Sequence, residues 1–149
     1  MNINAGYIPS DSWIQDMNVG GGRIIGEVCH FIDLATFFTG SLVKKVCMNS
    51  MGINIEKNTD NVSLLLNYKN GSNVSINYFS NGSKAYSKEK IEVYSQNRTV
   101  VIDNWKKMTA YGFNNFKKMN SSQDKGQFNQ FQLLLNSFKN GNHQLMPYL

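Results

Sequence analysis

The chain has 149 residues, 41% hydrophobic and 12% aromatic, with a formal net charge of +5. That length is the usual size of one domain and lets roughly two-thirds of the unfolded chain's surface be buried, so residues 1–149 are read as a single domain outside the disordered class. The lysines come in short pairs, Lys44-Lys45, Lys106-Lys107 and Lys117-Lys118, in separate segments. Such scatter suits a solvated surface better than an anion-binding face, so no nucleic-acid partner is expected. There is no basic and apolar leader, and no apolar run approaches the ~20 residues of a membrane helix; the expected location is cytoplasmic, with no membrane partner.

In chain order, residues 1–19 carry Pro9, Asp11, Trp13 and Asp16 without a clear period and read as an extended segment and turn leading into Gly20-Gly21-Gly22. Over residues 24–38 the apolar residues Ile24, Val28, Phe31, Ala35 and Phe38 recur at helical spacing, and Gly40 supplies the C-terminal stop. The period then becomes alternating. Residues 43–51 read as a strand, and residues 62–68 and 73–79 flank Asn70-Gly71, a pair suited to a tight hairpin because both positions tolerate positive φ. Residues 90–95 and 99–103 alternate around Gln96-Asn97 and make a second hairpin. Residues 108–117 read as one more strand or an irregular flap. From 124 to 139 the helical period returns, with Phe128, Phe131, Leu134, Leu135 and Phe138 on one face. Helix, meandering strands, then helix is an α+β order, with an open and largely antiparallel mixed sheet carrying its helices on one face. Ile76, Tyr78, Val93 and Tyr94 cannot all point into one layer, so the other sheet face is expected to be apolar or aromatic and to serve association.

The glycine run invites a phosphate-loop reading, but its spacing defeats it: counted from Gly21, the third place of a dinucleotide fingerprint is Arg23, and the lysine of a Walker loop is Glu27. No cofactor is therefore expected on this chain alone. His30 has Glu27 three residues before and Asp33 three after, so a carboxylate on either side can set its tautomer. For a lone histidine on an amphipathic helix, a hydrogen-bonded place at the edge of the core is the commoner outcome. Cys29 and Cys47 read as buried thiols rather than a metal pair, and adjacent Cys29 and His30 point about 100° apart, which argues against zinc. His143 reads as a surface residue. Tyr7, Trp13 and Arg23 lie near the glycines and can stack on or hydrogen-bond a sugar ring, although an aromatic in a leader segment is at least as often a clasp over the core. Lys88-Glu89-Lys90 reads as an exposed cluster protecting a sheet edge.

The block Gly20-Gly-Gly-Arg-Ile-Ile-Gly-Glu-Val-Cys-His-Phe-Ile-Asp-Leu34 resembles the helix carrying the active-site histidine in the Gfo/Idh/MocA family of NAD(P)-dependent sugar and inositol oxidoreductases. Other segments fit in order: residues 4–9 with Trp13 and Asp16, then Asp60, Gly71-Ser72, Lys88-Glu89 with Glu92-Val93, and residues 124–126. The resemblance implies the family's C-terminal domain, an open sheet whose exposed face makes a homo-oligomer. It also implies a sugar-like substrate oxidised by hydride transfer to NAD or NADP. By that resemblance His30 is the catalytic histidine, with Tyr7, Trp13, Arg23 and Glu27 on the substrate side. Three features depart from the pattern: Gly26 stands where many relatives have Asp, Ser12 and Met17 stand where close relatives have His and Pro, and the family's lysine-bearing Rossmann domain is not in the chain. The expectation is a substrate-binding and oligomerisation domain, inactive without a cofactor domain from a separate chain. The alternative is a non-enzymatic assembly module that self-associates through its sheet face.

Overall fold

The computed structural model describes residues 1–52, 60–124 and 126–141. Eight strands form one mixed sheet: β1 (Asn2–Asn4), β2 (Val43–Ser50), β3 (Val62–Tyr68), β4 (Asn73–Phe79), β5 (Glu89–Ser95), β6 (Arg98–Asp103), β7 (Lys107–Tyr111) and β8 (Lys118–Asn120), in the order β2-β3-β4-β1-β5-β6-β7-β8. Two helices, α1 (Cys29–Thr39) and α2 (Gln127–Lys139), complete the α+β fold. All pairings are antiparallel except β1 with β4, so the N-terminal strand joins the β2–β4 and β5–β8 meanders at the sheet's centre. Of the segment 108–117, the part up to Tyr111 belongs to β7, residues 112–117 are irregular, and the return strand β8 starts at Lys118.

The hairpins form for different local reasons. Between β3 and β4 only Gly71 takes positive φ; Asn70 instead accepts the Ser72 N–H on its side-chain oxygen at 3.0 Å, so the turn is longer than a two-residue one. Between β5 and β6 both Gln96 and Asn97 lie at positive φ, giving the tight turn assigned from sequence to Asn70-Gly71.

Register settles which residues share a face. Ile3 stands opposite both Tyr78 and Glu89, so Tyr78, Ile76, Ile91 and Val93 point to one side and Tyr94 to the other. On that side α1 lays Val28, Phe31 and Ala35 against Ile3, Leu64, Leu66, Tyr68, Ile76 and Tyr78, the buried core. At ~25 cal/mol per Å² this apolar burial is the main force holding α1 to the sheet. The opposite face is more polar than expected: Ser63, Ser75, Asn77, Lys90 and Glu92 alternate with Leu65, Tyr94 and Tyr111. Uncovered apolar side chains lie on both faces: Leu65, Phe79, Tyr94 and Tyr111 on the outer one, and Val46 and Met48 of β2 on the α1 side. None of α2's residues is buried, and its stripe of Phe128, Phe131, Leu135 and Phe138 is exposed.

Two readings are corrected. Cys29 and Cys47 are both exposed, one on the solvent side of α1 and the other on the outer face of β2. Lys88 and Glu89 do not guard an edge, because β5 lies inside the sheet between β1 and β6. His143 lies outside the described residues. Among the described residues no helix is long and apolar enough to cross a membrane, and no group of three or more His, Cys, Asp or Glu could hold a metal ion.

Candidate functional site

The glycine run reverses the leader into the helix. Gly21 and Gly22 sit at φ +70° and +75°, a region costly for residues with a Cβ, and a Cβ on Gly20 would come within 2.5 Å of the Trp13 carbonyl oxygen. The Asp16 carbonyl accepts the N–H groups of Val19, Gly20 and Gly21 at 3.2, 2.8 and 2.9 Å. Those donors are thereby committed inside the turn, so the run does not form the open cradle of amides that a pyrophosphate requires. Gln15 Nε2 donates to Asp60 Oδ2 at 2.6 Å and ties the turn to the start of the β3 meander.

Residues 24–38 were expected to make one regular helix. Instead Ile24–Val28 forms a π-helical turn, and the α-helix begins at Cys29. Such wide turns inside helices are frequent at functional sites. Gly40, at φ +60°, ends α1 with its N–H donating to Thr36.

Arg23, immediately before the wide turn, is 2% exposed. Its Nη1 donates to the Gly6 carbonyl at 2.5 Å, its Nη2 to Ala5 at 3.2 Å, and both Nε and Nη2 to Glu27 Oε1 at 3.2 and 3.1 Å; the guanidinium carbon lies 5.4 Å from the centre of the Tyr78 ring. A guanidinium is one of the few groups that can bridge two carbonyls and a carboxylate at once. The Tyr78 hydroxyl donates to Glu27 Oε2 at 2.8 Å, and burial, followed by that hydrogen bond to a carboxylate, holds its pKa well above the usual phenol value. Arg23 thus locks the leader, the wide turn and β4 together from the core side.

Glu27, the outer end of this network, also lines an open cleft of about 500 Å³ beside α1. His30, Asp33 and Phe37 border it from the same helix face, and Lys88, Glu89 and Trp105 from the β5 side. His30 is exposed, with its imidazole at the cleft. Both Glu27 oxygens already accept hydrogen bonds from Arg23 and Tyr78. The cleft therefore combines an accessible imidazole, carboxylates able to accept hydroxyl hydrogen bonds, an ammonium and an aromatic wall.

Of the five residues singled out from sequence, the structure brings His30 and Glu27 together in the cleft. Arg23 stands behind Glu27 as a structural tie and does not line the cleft. Tyr7 and Trp13, 68% and 66% exposed, belong to the leader and do not line it either. Sequence reasoning missed Trp105 and misassigned Lys88 and Glu89. Asp33 was noted as a neighbour of His30 but not as part of a pocket wall.

Residues 2–101 match the family model described as the GFO/IDH/MocA C-terminal domain. The chain belongs to this family. No curated protein matches it. Among solved structures, it is similar to the aldose-aldose oxidoreductase from Caulobacter crescentus complexed with glycerol, at 16% identity and a TM-score of 0.75, over 94% of this chain and 44% of that one. It is similar to the UDP-N-acetylglucosamine 3-dehydrogenase GnnA from Acidithiobacillus ferrooxidans at 16% identity and a TM-score of 0.72, over 94% and 43%. It also resembles a super-repressor mutant of Gal80p from Saccharomyces cerevisiae at 14% identity and a TM-score of 0.68, over 98% and 46%. At these identities the likeness establishes the fold, and the chain spans less than half the length of each. Other family neighbours are NAD-binding proteins, from Listeria innocua and Klebsiella pneumoniae.

Proposed function

We propose that this family member is the substrate-side domain of an NAD(P)-dependent oxidoreductase acting on a sugar-like hydroxyl, with His30 as the group that handles the hydroxyl proton. One observation carries the reading: His30 is solvent-accessible and faces an open cleft instead of being packed into the core beside it. Oxidising a carbinol removes a hydride and a proton together, and an accessible imidazole can take the proton's part. The nicotinamide supplies the hydride acceptor. The glycine turn, with its N–H donors committed to Asp16, does not fit a dinucleotide, which supports a nucleotide-binding half lying elsewhere, in a longer protein or a separate chain. Two solved neighbours named as sugar-acting enzymes support the substrate class. Glu27 takes a substrate-side place, oriented by Arg23 and Tyr78, and homo-oligomerisation uses the open sheet face.

A second reading, a non-enzymatic module that works by association, is favoured by one neighbour's being named a repressor. Calorimetry separates what this chain does alone: no NAD or NADP binding is expected, and micromolar binding contradicts the proposal. Mixing it with, or fusing it to, a family nucleotide-binding domain is expected to restore dehydrogenation of a sugar. Association without any turnover favours the second reading.

A further inference from the structure

We infer that Trp105, clamped by Glu89, is the ring-recognising wall of the His30 cleft, and that the ring it accepts is neutral; this rests on the reading of the cleft as a sugar site. Asn104 and Trp105 occupy the turn between β6 and β7 at φ +50° and +57°. Asn suits a left-handed position, but for a bulky aromatic residue that backbone is strained, and strained residues persist where their surroundings hold them, often at functional sites. Glu89 does the holding. Its carbonyl accepts the Asn104 N–H at 2.7 Å, and its carboxylate accepts the Trp105 indole N–H at 2.5 Å. Trp105 remains 37% exposed and lines the cleft, so part of the indole is left open to a ligand.

The cleft's volume falls within the ~300–1,000 Å³ of small-molecule sites. A sugar ring has an apolar C–H face that an indole can cover, while its hydroxyls reach the carboxylates at the border. Among the described residues lining the cleft, Glu27, Asp33 and Glu89 are accompanied by one ammonium, Lys88, and of the three carboxylates Glu27 is ion-paired from behind by Arg23. This balance disfavours a phosphate or carboxylate on the ring within the cleft. Glu89 is a positioning residue that acts through Trp105.

The test follows the indole N–H signals of Trp13 and Trp105 in proton–nitrogen correlation spectra of the whole chain, assigned with Trp105→Phe, during titration with methyl glucoside or glucose 6-phosphate. Methyl glucoside is expected to move the Trp105 signal saturably in the millimolar range, and glucose 6-phosphate to bind severalfold more weakly. Glu89→Gln should shift that signal before any sugar is added and weaken binding severalfold. Trp105→Gly, which suits the left-handed backbone, should abolish saturable binding while the backbone amide pattern remains that of the folded parent, separating lost recognition from lost fold. If Trp105→Gly binds methyl glucoside as tightly as the parent, this inference fails while the sugar-site reading stands. Equal binding of glucose 6-phosphate overturns the neutral-ring part. If methyl glucoside perturbs no residue lining the cleft, the inference and the sugar-site reading fall together.

Discussion

Replacing Arg23 with Ala should cost far more than its place on a short polar turn suggests. The side chain is 2% exposed, and its loss leaves the Gly6 and Ala5 carbonyls and one flank of Glu27 without their charged donor. Hydrogen bonds to a charged group contribute about 1.5–3 kcal/mol each, and an abandoned buried acceptor costs about 1–3 kcal/mol. The terms do not add fully. The Glu27 side chain is 30% exposed and keeps its bond from Tyr78, so water and tyrosine recover much of that part. A net loss of about 3 kcal/mol remains, equivalent to roughly 6–12 °C in Tm for a domain of this size. Urea denaturation followed by far-ultraviolet circular dichroism measures it directly. Arg23→Lys should fall between parent and Ala, because one ammonium cannot bridge both carbonyls and the carboxylate. A loss below about 1 kcal/mol for Arg23→Ala would refute the claim that this residue ties leader, wide turn and β4 together.

Three further outcomes follow from the same geometry. The raised Tyr78 pKa means that the unfolded chain loses this proton first, above the ordinary value of 10.0, while the folded chain keeps it. Stability should therefore be flat in this respect below about pH 10 and decline above it, and Tyr78→Phe should remove that decline from pH-dependent urea melts. Gly20→Ala should destabilise by more than about 2 kcal/mol, because its Cβ would meet backbone atoms of Trp13 and Ile14. Gly26→Ala, whose Cβ has no neighbour closer than 3.8 Å, should be neutral or gain up to about 1 kcal/mol; equal losses at both glycines in thermal melts would discredit the turn geometry. Phe131→Gln on exposed α2 should change stability by no more than about 0.5 kcal/mol while lowering binding of a hydrophobic dye, and a large drop in Tm would mean that the stripe is packed.

The order of elements was legible because periodicity reports burial: the 3.6-residue stripe of Val28, Phe31 and Ala35 and the twofold alternation of Leu64, Leu66, Ile76 and Tyr78 became the core. The sheet order was not legible, since nothing local to Asn2–Asn4 tells that this strand is inserted between β4 and β5. That insertion makes Lys88 and Glu89 interior to the sheet and brings them to the cleft, where sequence position suggested an edge. The wide turn at Ile24–Val28 was invisible because its apolar spacing also fits an α-helix. His30 and Glu27 were recognisable from the pattern around the glycines, whereas Trp105 carried no motif. Its place on the cleft, its backbone conformation and its bond to Glu89 appear only in the folded chain. Arg23 was expected on the substrate side because a cation after a glycine run looks like a ligand group, and only the positions of Gly6 and Ala5 show what it holds.

The account turns on the imidazole at position 30. The decisive measurement is the rate of sugar-dependent NADH or NADPH formation by this chain fused to a nucleotide-binding half from a family member, compared with the same fusion carrying His30→Ala. The account predicts turnover by the parent and a loss of at least roughly a hundredfold in kcat for the variant at unchanged Tm; a variant that turns over as fast as the parent would contradict it.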